Sequence, residues 1–276
     1  MTDTQPWFDR GRWVRPRWTT TTAMANGAGF CAGLITLAWA ASVPSWAACT
    51  VDAQGSGHVG AIVDGRTLRL ADGREIRLAG LAYPVGPHAA AVLAALVGDR
   101  DVVLRGQDDA PDRYGRQSFY VFPDGAGVSV QAALLARGEA VYSGLVADPG
   151  CAAELGQAEA TARTARLGVW ADPDAIKNAE TPGDILALSG QFAVVEGKVV
   201  SVRQAGPTFY VNFGRRWTEG FAVTISGRMM AAFEAAGVPP RSLENRRVRV
   251  RGWVERHGGP RIELFRTGQI ELIAGR

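Results

Sequence analysis

The run Val63–Gly86, VDGRTLRLADGREIRLAGLAYPVG, reads as two short strands joined by a tight turn and followed by a proline-broken loop. Thr67, Leu68, Arg69 and Leu70 begin one alternating run, and Glu75, Ile76, Arg77 and Leu78 begin the return strand. Period-two alternation of this kind marks strands with one buried face. Between them, Ala71-Asp72-Gly73 is turn chemistry, because Asp-Gly tolerates the positive φ that a tight hairpin requires. Further on, Pro111–Phe122 reads PDRYGRQSFYVF, a polar turn leading into a strand rich in aromatic and β-branched residues.

Working outward from the hairpin, residues 57–63 are expected as a first strand, 101–104 as a fourth and 117–122 as a fifth. The Ala-rich stretch 86–96 reads as a buried helix through Ala89, Val92, Leu93 and Leu96. Residues 128–137 read as a second helix closed by Gly138, and 151–166 as a third. Leu167-Gly168-Val169-Trp170 follows, with Trp170 expected in the core. Five short strands with helices suit an OB-type barrel.

Together the two fragments resemble the staphylococcal-nuclease-like (thermonuclease) family, whose first motif runs I-D-G-D-T then R-L-x-G-I-D-x-P-E and whose second is D-K/R-Y-G-R. The resemblance spans roughly Gly57 to Trp170. It implies an OB-type barrel and a calcium-dependent phosphodiesterase site, but several chemical positions are altered. The family's calcium carboxylate in D-G-D-T falls on Arg66, its second metal carboxylate on Ala82, the carbonyl donor after it on Tyr83, and its general-base glutamate on Val85. Asp64, Arg77, Tyr114 and Arg116 remain. Arg77 and Arg116 match the family's phosphate-gripping pair, and an arginine fork suits phosphate in two-point fashion. Arg66, standing where a carboxylate would face the cation, is expected to join Tyr114 in holding phosphate.

Calcium-assisted hydrolysis needs several oxygen ligands and a base. Asp64 alone does not supply them, so no metal or cofactor is expected. Calcium enters only in an alternative reading, an active atypical nuclease using Asp108, Asp109 and Asp112 as replacement carboxylates. His58, His88 and His257 share no metal-ligand spacing, and no nucleophile-elbow, Walker or Cys-His motif is present.

The N-terminal 48 residues differ in character. Arg10, Arg12, Arg15 and Arg17 precede a weakly apolar run centred on Phe30, Leu34, Ile35, Leu37 and Trp39, and Pro44-Ser45-Trp46-Ala47 offers small residues for cleavage. Residues 1–48 are therefore expected to be a secretory signal peptide, directing a periplasmic or secreted protein, with an uncleaved membrane anchor as the alternative. Cys49 and Cys151 then form an even pair in an oxidising compartment, expected as a disulfide rather than as two separate buried thiols.

The fold class expected is mainly β with helices (α+β). Residues 49–171 form the thermonuclease-like domain, 172–189 a linker carrying Pro173, Pro182 and Gly183, and 190–276 a second, basic OB-like β-barrel. In that second part, strands at 192–202, 208–213 and 221–225, a helix at 228–236, and strands at 246–255, 261–264 and 269–273 follow the OB order, with Gly197 as a bulge or bend. The chain has 30 basic and 27 acidic residues, unevenly spread. Residues 49–184 hold 12 basic and 18 acidic, whereas 185–276 hold 14 basic and 7 acidic. The contact surface for a polyanion is thus expected mostly on the C-terminal part. Arg215-Arg216-Trp217 and the strand carrying Arg247, Arg249, Arg251 and Trp253 pair cations with aromatic rings, as single-stranded nucleic acid would require. The function expected is a degenerate nuclease that binds nucleic acid or another phosphate-bearing polyanion. An envelope scaffold whose barrels bind protein is the alternative from another class.

Overall fold

One long strand makes the first sheet a barrel. In the computed structural model, which describes residues 49–82, 86–107, 110–216 and 218–273, β1 (Ala53–Asp64) is 12 residues long. Its first half pairs with β4 (Asp101–Arg105) and its second with β2 (Thr67–Leu70), bent by register shifts after Val59 and Ile62. β3 (Glu75–Leu78) returns antiparallel to β2 across the expected turn, where Gly73 takes φ +92°. β3 then runs parallel to β5 (Arg116–Pro123), and β5 antiparallel to β4, closing the ring β1-β2-β3-β5-β4. The alternation reads directly into burial: Leu68, Leu70, Ile76, Leu78, Leu104, Phe119 and Val121 fill the barrel, while Glu75 and Arg77 face outward.

Three helices flank the barrel: α1 (Ala89–Val97), α2 (Val130–Ala136) and α3 (Pro149–Thr164). The Ser129 hydroxyl caps α2 by accepting from Ala132 N, and the Asp148 carboxylate caps α3 by accepting from Cys151 N. Gly138 ends α2 at φ +71°, where an added Cβ would lie 2.1 Å from the Leu167 carbonyl oxygen, so glycine is required there. Cys49 and Cys151 are disulfide-bonded. Beside the bridge, buried Glu154 accepts from the Cys49 N–H at 2.9 Å and from the Ser129 hydroxyl at 2.8 Å.

The remaining chain forms an eight-stranded sheet. Its strands are β6 (Ile176–Asn178), β7 (Phe192–Lys198), β8 (Ser201–Ala205), β9 (Thr208–Asn212), β10 (Ala222–Ser226), β11 (Arg247–His257), β12 (Gly259–Leu264) and β13 (Ile270–Leu272). The hydrogen-bonded order is β6-β7-β11-β12-β10-β9-β8, with β13 on β11 and with β10 and β12 parallel. Two short helices accompany it, α4 (Pro182–Leu186) and α5 (Met230–Ala235).

Three expectations change here. The sheet does not close as a ring of paired strands, because the chain switches partners between β7 and β8: Val199 N donates to Arg246 O, but Val200 N donates to Asn212 O. Gly197 is not a bulge. It sits in regular register opposite Val248, and an added Cβ would meet the Ala179 Cβ at 2.3 Å, so close packing selects it. Finally, residues 172–189 are no free linker, since β6 pairs parallel to β7 and α4 buries Ile185.

Both sheets belong to one compact unit. Each has its own core, and a third cluster joins them, with Ala162 and Trp170 from the barrel side packed against Val194 of β7. The backbones meet at Gly144 and Gly268, where a Cβ on either would come within 3 Å of the other's carbonyl oxygen (2.6 and 2.9 Å).

Candidate functional site

A cleft of about 470 Å³ opens at this seam. Its barrel wall carries Arg66, Arg77 and Ala82, and its opposite wall carries Phe192, Trp253 and Arg266. Local structure sets the first two. The Arg66 N–H donates to Asp64 Oδ1 at 2.8 Å in the turn between β1 and β2, and the Arg66 carbonyl accepts from Leu78 N at 2.8 Å. Arg77 points outward because its neighbours Ile76 and Leu78 are in the barrel core. Partial burial, and then the nearby Arg116 charge, hold the Arg77 pKa below its ordinary value, against the opposing pull of Asp112 and Asp64. Among the described residues no carboxylate lies within ion-pair distance of its guanidinium. A carboxylate does stand on the wall, Asp148, whose Oδ1 accepts from Cys151 N as the α3 cap.

Arg116 stands beside the cleft and not on its wall. In the parallel β3–β5 register it faces Glu75, diagonal to Arg77 on the same face. Its Nε and Nη2 both donate to Asp112 Oδ2, at 3.0 and 2.8 Å. The Tyr114 ring is 65% exposed, with the Arg113 and Arg116 guanidinium groups each 4.9 Å from its centre. Arg116 and the backbone N–H groups of Tyr114 and Arg116 hold the Asp112 carboxyl down at about 2. A depressed carboxyl pKa means that the contact is complete above the usual carboxylate range and is lost as pH falls through about 2. A carboxyl ¹³C titration of Asp112 should therefore show its midpoint near 2, well below an unperturbed aspartate.

The positions that the family resemblance assigns to metal ligands thus converge on the cleft, but as a guanidinium (Arg66) and a methyl group (Ala82). Among the described residues there is no group of three or more His, Cys, Asp or Glu side chains able to hold a metal. Asp112 is committed to Arg116. Tyr83, Val85, Asp108 and Asp109 lie outside the described residues. His58 is far from this chemistry in role: its ring bridges Asp99 and Asp101 at 3.0 and 3.1 Å, and those bonds raise its pKa.

On the second sheet the expected basic strand divides in two. Arg247 and Trp253 are exposed. Arg249 and Arg251 share their face but are enclosed where β11 passes under α3, which corrects their assignment to an open nucleic-acid surface. Arg251 is 2% exposed, and its Nη1 donates to Glu159 Oε2 at 2.6 Å and to the Tyr142 carbonyl at 3.0 Å. Arg249 pairs with Glu196 and Glu271, and Glu271 also pairs with Arg163 and Arg251. The excess of arginine in the C-terminal part is therefore spent partly on the seam. Arg215 and Arg216 are exposed, with Arg216 3.4 Å from Glu219, and Trp217 lies outside the described residues.

Sequence reasoning missed Phe192 and Arg266 on the cleft. It also missed a second cavity of about 590 Å³ over β8, β9 and β12, lined by Arg203, Tyr210 and Arg261. Arg261 lies 5.6 Å from the Tyr210 ring centre, a cation–aromatic pair between residues far apart in sequence that no local pattern announces.

A closed five-stranded barrel carrying outward arginines beside a cleft defines an OB-type domain with a cationic site. Residues 65–172 match the family model described as staphylococcal nuclease homologue, and the chain carries a staphylococcal-nuclease-like domain there. No individual curated protein matches the sequence.

Proposed function

We propose that this is an exported, degenerate nuclease-like protein that binds nucleic acid, or another phosphate-bearing polyanion, without a metal ion and with little or no hydrolysis. The observation carrying this reading is the pair Arg66 and Arg77 on one cleft wall, with a guanidinium where the family resemblance assigns a calcium carboxylate. The nearby Arg116 charge already disfavours the charged form of Arg77, and an anion bound beside Arg77 offsets that repulsion. The fixed cations stand in for the charge of a divalent ion but cannot activate a water molecule as a bound metal does. We read residues 49–171 as the nuclease-like domain and 190–276 as a second, OB-like unit. The order β8-β9-β10-β12-β11-β7, with α5 after the third strand, parallels the first barrel, and Val199 and Val200 provide the covalent link between its two ends. The Cys49–Cys151 bridge supports export to an oxidising compartment, periplasmic or secreted. The segment 1–48 is then a cleaved leader or a retained anchor.

One experiment on the protein lacking residues 1–48 tests this reading. Titrated with thymidine 3′,5′-bisphosphate in chelator, the protein should bind, and Arg77→Ala and Arg66→Ala should each weaken binding about tenfold or more, since a charge-assisted hydrogen bond contributes about 1.5–3 kcal/mol. Millimolar calcium should change neither the melting temperature nor the degradation of single-stranded DNA. Calcium-dependent degradation would establish an active atypical nuclease instead. Absence of binding in both conditions would leave a scaffold that binds protein.

A further inference from the structure

Trp253 is a large aromatic side chain, 48% exposed, at the mouth of a cationic cleft. Isolated exposed hydrophobic side chains are ordinary; this one is held in place. It lies two residues beyond Arg251 on the same face of β11, and Arg251 is anchored to Glu159 across the seam. It stands opposite Phe192 in the β7–β11 register, and the Phe192 ring meets it nearly perpendicular, at 86° with 6.3 Å between centres. Phe192 thus braces the indole on one side, while Trp253 stays 48% exposed and lines the same cleft as Arg66 and Arg77. Arg266 adds a third guanidinium on the Trp253 side.

We propose that the second sheet completes the ligand site of the first barrel, and that the ligand is single-stranded nucleic acid, with a phosphate at Arg66 and Arg77 and the adjoining base stacked on Trp253. This inference rests on the anion-binding reading of the cleft given above. Its volume of about 470 Å³ is within the usual range of about 300–1,000 Å³ for small-molecule sites, which suits one nucleotide unit. A base paired inside a duplex keeps both faces covered by its neighbours, whereas an unpaired base offers a free face to an indole. Trp253 therefore selects single strands, and selects nucleotides over phosphate-bearing polyanions without rings.

The test compares two probes on the protein lacking residues 1–48, in chelator: thymidine 3′,5′-bisphosphate and the base-free 1,2-dideoxyribose 3′,5′-bisphosphate. Trp253→Ala should weaken the thymidine compound about tenfold or more, in line with measured base–aromatic stacking. It should leave the base-free compound unchanged, and Trp253→Phe should retain most of the thymidine affinity. Arg77→Ala should weaken both probes alike. Because Trp253 is half exposed, its replacement should leave the melting temperature nearly unchanged. If both probes bind the wild type and Trp253→Ala alters neither, or alters both equally, the stacking inference is overturned while the anion-binding reading stands. If neither probe binds the wild type, both fall.

Discussion

Glu159→Ala should destabilise the protein by about 3–5 kcal/mol, the usual cost of removing one partner from a buried ion pair. Glu159 is 0% exposed and its partner Arg251 is 2% exposed. Without the carboxylate, the Arg251 guanidinium keeps the Tyr142 carbonyl and the half-exposed Glu271, but loses the 2.6 Å contact that neutralises it in the interior. The Tyr142 N–H, which donates to Glu159 Oε1 at 2.8 Å, is orphaned as well. For a chain of this size the expected fall in melting temperature is about 6–20 °C. Glu159→Gln should cost less, because its amide oxygen still serves Tyr142. The double variant Glu159→Gln/Arg251→Met should recover most of the loss, since apolar replacement of a buried pair is often close to neutral. Thermal unfolding of the three variants, at low and at 0.5 M salt, checks this. A loss under 1 kcal/mol that shrinks further with salt would mean that water reaches the network. Arg251 anchors β11 to α3 two residues before Trp253, which lines the cleft.

Loss of the Cys49–Cys151 bridge should be comparable in size. The two cysteines are separated by 102 positions in the sequence, and a cross-link closing a loop of that length contributes about 4–5 kcal/mol in the chain-entropy description. The local effect matters too. The bridge holds the segment entering β1 against α3, and Val51 in that segment lies on the cleft wall. Cys49→Ala/Cys151→Ala should therefore lower the urea midpoint sharply and weaken bisphosphate binding at the same time. Reductant should reproduce both effects in the wild type and have no effect on the variant. An unchanged midpoint would mean that the hydrogen bonds of Cys49 N and Ser129 to Glu154 are sufficient to hold this edge.

What reads correctly from sequence is local chemistry. The β2–β3 hairpin follows from alternation plus Asp72-Gly73, and the end of α2 from a glycine that can take positive φ. The parity of cysteines after residue 48 anticipates their bond. The fixed spacing of the family motif around the hairpin singles out Arg66 and Ala82, and both line the cleft. The switch at Val199-Val200 is not legible, since both residues are ordinary strand formers and what changes is the neighbour they bond to. Residues 172–189 look like a linker by their Pro, Gly and polar content, yet three of them find a strand to pair with.

Strand β11 separates the two kinds of information most clearly. Its alternation alone determines that Arg247, Arg249, Arg251 and Trp253 share a face opposite Val248 and Val250, because side chains in a strand point alternately to either side. Which part of that face meets water depends on α3, whose Glu159 is 92 positions from Arg251 in sequence. An arginine beside a buried carboxylate becomes an anchor, and a tryptophan two residues further on stays half exposed at the cleft. Periodicity determines the face; the charge of whatever packs against it determines what each residue on that face does.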